Sequence, residues 1–154
     1  LVLLDLCAPA LALGYAIGRV GCQISGDGDY GKASDLPWAM SYPDGVVPTT
    51  EEVHPTPIYE SLAMGFVALF LWTKRDAYRP GVLFAIYLVC AGVERFLIEL
   101  LRRNDAVVLG LTAPALESVA VFAVGVAWLW IAGRRGGLSA PEGGAKGYLA
   151  ARAA

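Results

Sequence analysis

The chain is short of charge. Only 17% of its 154 residues are Asp, Glu, Lys or Arg, whereas 56% are hydrophobic. That balance is low for a soluble domain and ordinary for a helical membrane protein. Cysteine is scarce: Cys7, Cys22 and Cys90 form no C-x-x-C pair and show no metal-ligand spacing, and the apolar runs around Cys7 and Cys90 mark these two as core thiols rather than a disulfide framework. His54 is the only histidine. No internal repeat is evident, unlike the paired repeats on which many transporters are built. The first residue, Leu1, falls in mid-hydrophobic run without Met or a basic flank, so no signal peptide is read there. The chain is expected to be the C-terminal part of a larger membrane domain. A net charge of −2 says little alone, and no nucleic-acid partner is expected.

Four apolar spans are present, at about 1–18, 57–73, 80–101 and 107–133. All four approach or reach the roughly 20 residues that a transmembrane helix needs. The expected fold is an all-α membrane bundle of about four helices over 1–133. A long outer loop covers 23–56, too long for a tight connection and therefore a place to look for function. The Gly- and Ala-rich tail, 134–154, is expected to be loose. Lys74, Arg75 and Arg79 follow the second span, and Arg134, Arg135, Lys146 and Arg152 follow the fourth. Alternation puts both groups on one side, cytoplasmic by the positive-inside rule. The loop and the Arg102–Asp105 turn then lie outside. Arg19 and Arg95 come to similar depth, since Arg95 lies roughly 10 Å below Arg102 at about 1.5 Å per residue.

Arg95 is the most telling residue. A charge in such a span costs about 2.5–3.5 kcal/mol on insertion scales, so it faces an interior, a cavity or a substrate path. Glu99 and Arg102, at i+4 and i+7, share its face. An Arg–Glu pair can simply neutralise itself. Against that, Arg19, Arg95, Arg102 and Arg103 crowd the outer side, where cations are not expected, and a phosphate ligand would account for them. A second cluster runs Gly18-Arg19-Val20-Gly21-Cys22-Gln23-Ile24-Ser25-Gly26-Asp27-Gly28-Asp29-Tyr30-Gly31. Its arginine can grip phosphate bidentately, and glycine-exposed N–H groups such as those at Gly21 and Gly26 can help. A snorkelling arginine before a Gly-rich turn is the plainer reading. The third is His54-Pro55-Thr56-Pro57-Ile58-Tyr59-Glu60, where the chain re-enters the membrane and Thr56 is placed to cap the helix. His54 is either a hydrogen-bonded structural residue or a proton carrier. Glu60, one turn inside, needs a cation, for which Arg19 and Arg95 are candidates. Asp5 and Glu117 are read as pairing across helices, and Trp38, Trp72, Trp128 and Trp130 as interface or lipid-facing aromatics.

At these motifs the chain resembles the prolipoprotein diacylglyceryl transferase family, over about 5–118. The resemblance adds Asp5-Leu6-Cys7-Ala8-Pro9, Asp35-Leu36-Pro37-Trp38 and Leu111-Thr112 to the three clusters, all in the family's order. It implies an enzyme of the bacterial inner membrane with its site at the outer leaflet. The reaction moves the diacylglyceryl group of phosphatidylglycerol to the lipobox cysteine thiol of a prolipoprotein signal peptide. No metal and no cofactor are implied. By resemblance Arg19, Arg95 and Glu99 are the catalytic set, with Gly21, Gly26, Asp27, His54, Tyr59, Glu60 and Arg102 binding substrate. Cys22 and Ser25 stand where the family's best-known motif has asparagines, and Asp27 where it has Glu. Ala115 replaces a common Gln. The family's His-Gly-Gly segment is expected upstream of Leu1, so the fragment alone need not be active. Two other readings remain: a paralogue with a different acceptor, motivated by Cys22, Ser25 and Asp27, and a non-catalytic protein that binds anionic lipid headgroups or carries an anion.

Overall fold

A computed structural model describes residues 1–104 and 111–140. Four helices, α1 (Val2–Ser25), α2 (Thr56–Thr73), α3 (Val82–Leu101) and α4 (Ala113–Arg134), form the body, and an antiparallel hairpin of β1 (Met40–Tyr42) and β2 (Thr49–Val53) is inserted between α1 and α2. The helical architecture agrees with the sequence reading, while the hairpin corrects the purely α expectation.

Boundaries differ in informative ways. Helix α1 does not stop at Gly18 but runs on to Ser25, ending where Gly26 takes φ 58°, a left-handed value that glycine adopts readily. Gly18 and Gly21 are therefore helical, and their N–H groups serve the helix rather than a ligand. Pro57 occupies the first turn of α2 as expected. Thr56 does not cap that helix, because its hydroxyl donates to the Asp29 carbonyl. Thr112 does cap α4, accepting from the Ala115 N–H at 3.2 Å. The start read at 107 and the residue Asp105 lie outside the described residues. Asp5 does reach across helices, to backbone rather than a cation: its carboxylate accepts from the Gly81 and Phe84 N–H groups at 2.6 and 2.8 Å and so caps α3 from α1. Glu117 is exposed and finds no hydrogen bond or ion pair among the described residues.

Packing uses small residues. Ala8, Ala12 and Ala16 recur every four positions along α1 and bury against Met64, Ala68 and Leu71 of α2, a spacing that keeps them on one face. Helices α3 and α4 approach still more closely. A Cβ on Gly92 would lie 2.8 Å from the Phe122 nitrogen, and one on Gly125 would lie 2.9 Å from the Val89 nitrogen. Trp128 packs edge-on to Phe84 with centroids 6.0 Å apart, correcting its lipid-facing reading, whereas Trp72 and Trp130 are exposed. The three cysteines are free and only half-buried, not core. Large apolar side chains elsewhere face outward, Ile24 at 81% and Phe66 at 70% exposure among them. Contiguous apolar surface of this kind is what a lipid-facing bundle presents. Helices α1 and α4 are long and apolar enough to cross a membrane, while α2 and α3 carry the interior carboxylates.

The two ends of the bundle are distinct. At one, the turn after α2 joins the segment after α4: Arg79 N–H donates to Leu138 at 3.0 Å and Ala140 N–H to Ala77 at 2.9 Å. The tail is thus held as far as Ala140, not loose from 134, and Lys146 and Arg152 lie outside the described residues. At the other end the loop folds over the helix mouths, with Gly31 bridging to Arg102 and Lys32 N–H donating to Leu101 at 2.8 Å. The basic turns and the loop therefore occupy opposite ends, as strict alternation requires.

Candidate active site

The centre of the site is Glu60, fully buried near the start of α2. Its Oε1 accepts from the Tyr15 hydroxyl at 2.7 Å and lies 3.2 Å from Arg19 Nη2 and 3.4 Å from Arg95 Nη1. Tyr15 and Arg19 are one turn apart on α1, so they present together, and Arg19 Nη2 also donates to the Tyr15 oxygen at 3.0 Å. Arg95 comes from α3. Its other nitrogen, Nη2, lies 3.3 Å from Glu99 Oε2, one helical turn away. Glu99 is fixed in turn, since its Oε1 accepts from Asn104 Nδ2 at 2.6 Å and from the Thr112 hydroxyl at 2.7 Å. Three helices thus meet through one carboxylate, and the start of the fourth steadies the second.

A rim of loop residues completes the arrangement. Asp29 forms ion pairs with both Arg19 and Arg102. Arg103 pairs with Glu51 at 3.0 Å and donates through Nε to the Gly31 carbonyl at 2.9 Å. Burial, with the Arg19 charge nearby, lowers the Arg102 pKa from its ordinary value, which marks this rim as a place where positive charge is already costly. The sequence argument from an excess of cations is corrected here. Arg19, Arg95, Arg102 and Arg103 each meet a carboxylate, supplied by Asp29, Glu60, Glu99 and Glu51. The partners come from other elements, so linear sequence made the arginines look lonelier than they are.

The remaining expected residues fall into two groups. Gly21 is an exposed helical residue and gives the site no free N–H. Gly26 is a junction: a Cβ there would lie 2.8 Å from the Gly45 Cα. Asp27 is exposed and accepts the Asp29 N–H at 3.2 Å in a local turn, so the carboxylate beside Arg19 is Asp29 instead. His54 and Tyr59 belong to a separate chain of contacts, in which Trp38 Nε1 donates to the Tyr59 hydroxyl at 2.7 Å and His54 Nδ1 lies 3.4 Å from it. Neither is joined to the arginines by a hydrogen bond or ion pair among the described residues. Sequence reasoning missed Tyr15 and gave no role to Asp29, Asn104 or the Thr112 hydroxyl. Tyr15 was within reach, four residues before Arg19 on one helix face. Cys22, Asp27 and Asp29 bring ligand atoms within 4.8 Å of one another. Both Asp29 oxygens already face arginines, however, so this group is answered by cations rather than built for a metal.

Chemically, the site is a pair of guanidiniums held together by carboxylates beneath the loop. Comparison with known proteins gives one consistent match. The family profile described as prolipoprotein diacylglyceryl transferase matches residues 1–131. Among relatives, the phosphatidylglycerol–prolipoprotein diacylglyceryl transferase of Leptospira interrogans is 37% identical over 121 residues, 75% of this chain and 38% of the relative. The protein named transferase 1 of that activity in Streptomyces coelicolor is 40% identical over 137 residues, 85% of this chain and 39% of the relative. The one from Gloeobacter violaceus is 37% identical over 142 residues, 88% of this chain and 52% of the relative. The chain spans between two-fifths and half of the length of these relatives.

Proposed function

The chain belongs to the prolipoprotein diacylglyceryl transferase family, and from that premise we propose that it carries the phosphate-gripping half of such an enzyme. The reaction transfers the diacylglyceryl group of phosphatidylglycerol to the lipobox cysteine thiol of a prolipoprotein signal peptide, the first step of bacterial lipoprotein maturation. One observation carries the reading: Arg19 and Arg95, from different helices, converge on one and the same buried oxygen of Glu60. Two guanidiniums at one membrane depth match a phosphodiester, which offers two anionic oxygens.

All four helices cross the inner membrane, with the loop and the site toward the outer leaflet and the basic turns in the cytoplasm. The phosphate of an arriving lipid takes over donors now used by Glu60, Glu99 and Asp29. As the thiolate sulfur attacks the glyceryl carbon, the C–O bond to phosphate breaks and its electron pair passes to the phosphate oxygen. The products are a thioether, glycerol phosphate and one released proton. Charge grows on the leaving phosphate, and fixed guanidiniums stabilise it most where it is greatest. Glu60 and Glu99 are positioning residues that hold the two arginines in register, and Arg102 helps at the rim. His54 and Tyr59 stand at the loop side, where the signal peptide arrives. The test incubates the full-length gene product with phosphatidylglycerol vesicles and a lipobox peptide. Mass spectrometry should find a diacylglyceryl adduct on the peptide cysteine together with glycerol phosphate, and Arg95→Ala should abolish both while the protein stays inserted. Wild-type turnover by Arg95→Ala, or no adduct from folded wild-type protein, refutes the proposal.

A further inference from the structure

A second polar feature adjoins the arginine network and shares Tyr15 and Arg95 with it. A cavity of about 370 Å³ opens between the four helices, with Tyr15, Glu94, Arg95, Glu117 and Ser118 on its polar side. That volume falls in the range of small-ligand sites. Glu94 Oε1 is buried without a hydrogen-bond partner, and Glu117, on α4, has no hydrogen bond or ion pair among the described residues. Carboxylates left in that condition at membrane depth are expensive. The neighbouring hydroxyls do not relieve them, because Tyr15 donates to Glu60 and Ser118 donates to the Ala115 carbonyl at 2.7 Å. Tyr87 also lines the cavity, and its hydroxyl makes no hydrogen bond to either carboxylate among the described residues, so both keep acceptor oxygens free for a ligand. A ligand that suits it is anionic where it meets Arg95 and rich in O–H donors where it meets Glu94 and Glu117.

We propose that this cavity seats the hydroxyl-bearing glycerol headgroup of the phospholipid, with Glu94 and Glu117 accepting its hydroxyls while Arg95 holds the adjoining phosphate. The proposal rests on the lipid reading above and adds what selects the headgroup. Phosphate contacts alone cannot distinguish one phosphodiester from another. A pair of acceptor carboxylates does, since a headgroup lacking donors leaves them unpaired. An ammonium headgroup would also satisfy a carboxylate, but it would add positive charge beside Arg95 and Arg19.

The test measures binding rather than turnover, using full-length protein in phosphatidylcholine nanodiscs. The probes are phosphatidylglycerol, phosphatidylpropanol, which has the same phosphodiester and charge but no hydroxyl, and phosphatidylethanolamine. Wild-type protein should bind phosphatidylglycerol about tenfold more tightly than phosphatidylpropanol, the discrimination of one charge-assisted hydrogen bond. Glu94→Met should bring phosphatidylglycerol to within about twofold of phosphatidylpropanol and leave phosphatidylpropanol unchanged. Glu94→Gln, which keeps a carbonyl acceptor, should retain most of the preference. Glu117→Met, at an exposed position that does not endanger folding, should show a smaller loss in the same direction. Equal weakening of both lipids, an unaltered preference in both Met variants, or phosphatidylethanolamine as the lipid whose binding falls would overturn the assignment. If the headgroup preference behaves as stated and no thioether forms, the transferase reading fails while this one stands.

Discussion

Replacing Glu60 by Gln removes one charge and almost no volume, so its effect reports on the carboxylate alone. At 3.2 and 3.4 Å, and with an effective dielectric near 20, each guanidinium is attracted by about 5 kcal/mol before desolvation is counted. Desolvation offsets much of that, and breaking a buried pair typically costs about 3–5 kcal/mol net. Here the low end applies, because Asp29 still holds Arg19 and Glu99 still holds Arg95. About 3 kcal/mol corresponds to roughly a hundredfold loss of the poised arrangement. Turnover of Glu60→Gln should therefore fall about a hundredfold with the protein still folded in its membrane. Tyr15→Phe removes one hydrogen bond to the same oxygen and should cost about 1.5–3 kcal/mol. Since Tyr15 acts through Glu60, the double variant should be little worse than Glu60→Gln alone, giving a coupling energy above about 1 kcal/mol in a double-mutant cycle. Turnover of Glu60→Gln within threefold of wild type would refute the positioning role. Strict additivity of the two changes would refute the shared oxygen.

Two further outcomes test the frame that holds the site. Ser41→Cys, in a background freed of Cys7, Cys22 and Cys90, should be labelled by an impermeant thiol reagent added to intact cells, since Ser41 is exposed on the loop hairpin; labelling only after lysis would invert the topology. Gly92→Val should destabilise the α3–α4 pair by about 1–3 kcal/mol, because even a Cβ meets backbone at 2.8 and 2.9 Å, and unchanged resistance to denaturant would show that the helices do not pack this closely.

How much of this was legible depends on the range of the interactions. The Arg95–Glu99 pair is local, at i+4, and could be read directly. So could Glu60 as a buried acid in need of Arg19 or Arg95. Their common depth followed from alternation of spans. Asp29 could not be read, since it meets Arg102 from 73 residues away and only the fold of the loop brings it there. The length of α1 was misjudged because Gly18 and Gly21 look like breakers. Each costs about 1 kcal/mol in a water-exposed helix, but backbone groups in lipid have no partner outside the helix. There the helix continues until Gly26 can turn it. Glu94 was passed over for a related reason: beside Arg95 in sequence it looks like a neutralising neighbour, yet no ion pair joins the two among the described residues.

The departures at Cys22, Ser25 and Asp27 were the motive for considering a different acceptor, and their surroundings weaken it. Cys22 Sγ accepts from Arg19 Nη1 at 3.8 Å, a soft contact in place of a side-chain amide, and Arg19 keeps its stronger partners in Asp29 and Glu60. The Ser25 hydroxyl donates to the Cys22 carbonyl at 3.2 Å and so closes the last turn of α1. Asp27 shapes the turn that delivers Asp29 and stands beside the Cys22 thiol. None of the three carries the charge that holds Arg19. On the proposal above, a change of acceptor would be built where the signal peptide arrives, around Trp38, Tyr59 and His54, and none of the three substituted residues hydrogen-bonds to these among the described residues. They alter how the end of α1 is finished, while the pair of arginines proposed for the donor side keeps its carboxylate partners.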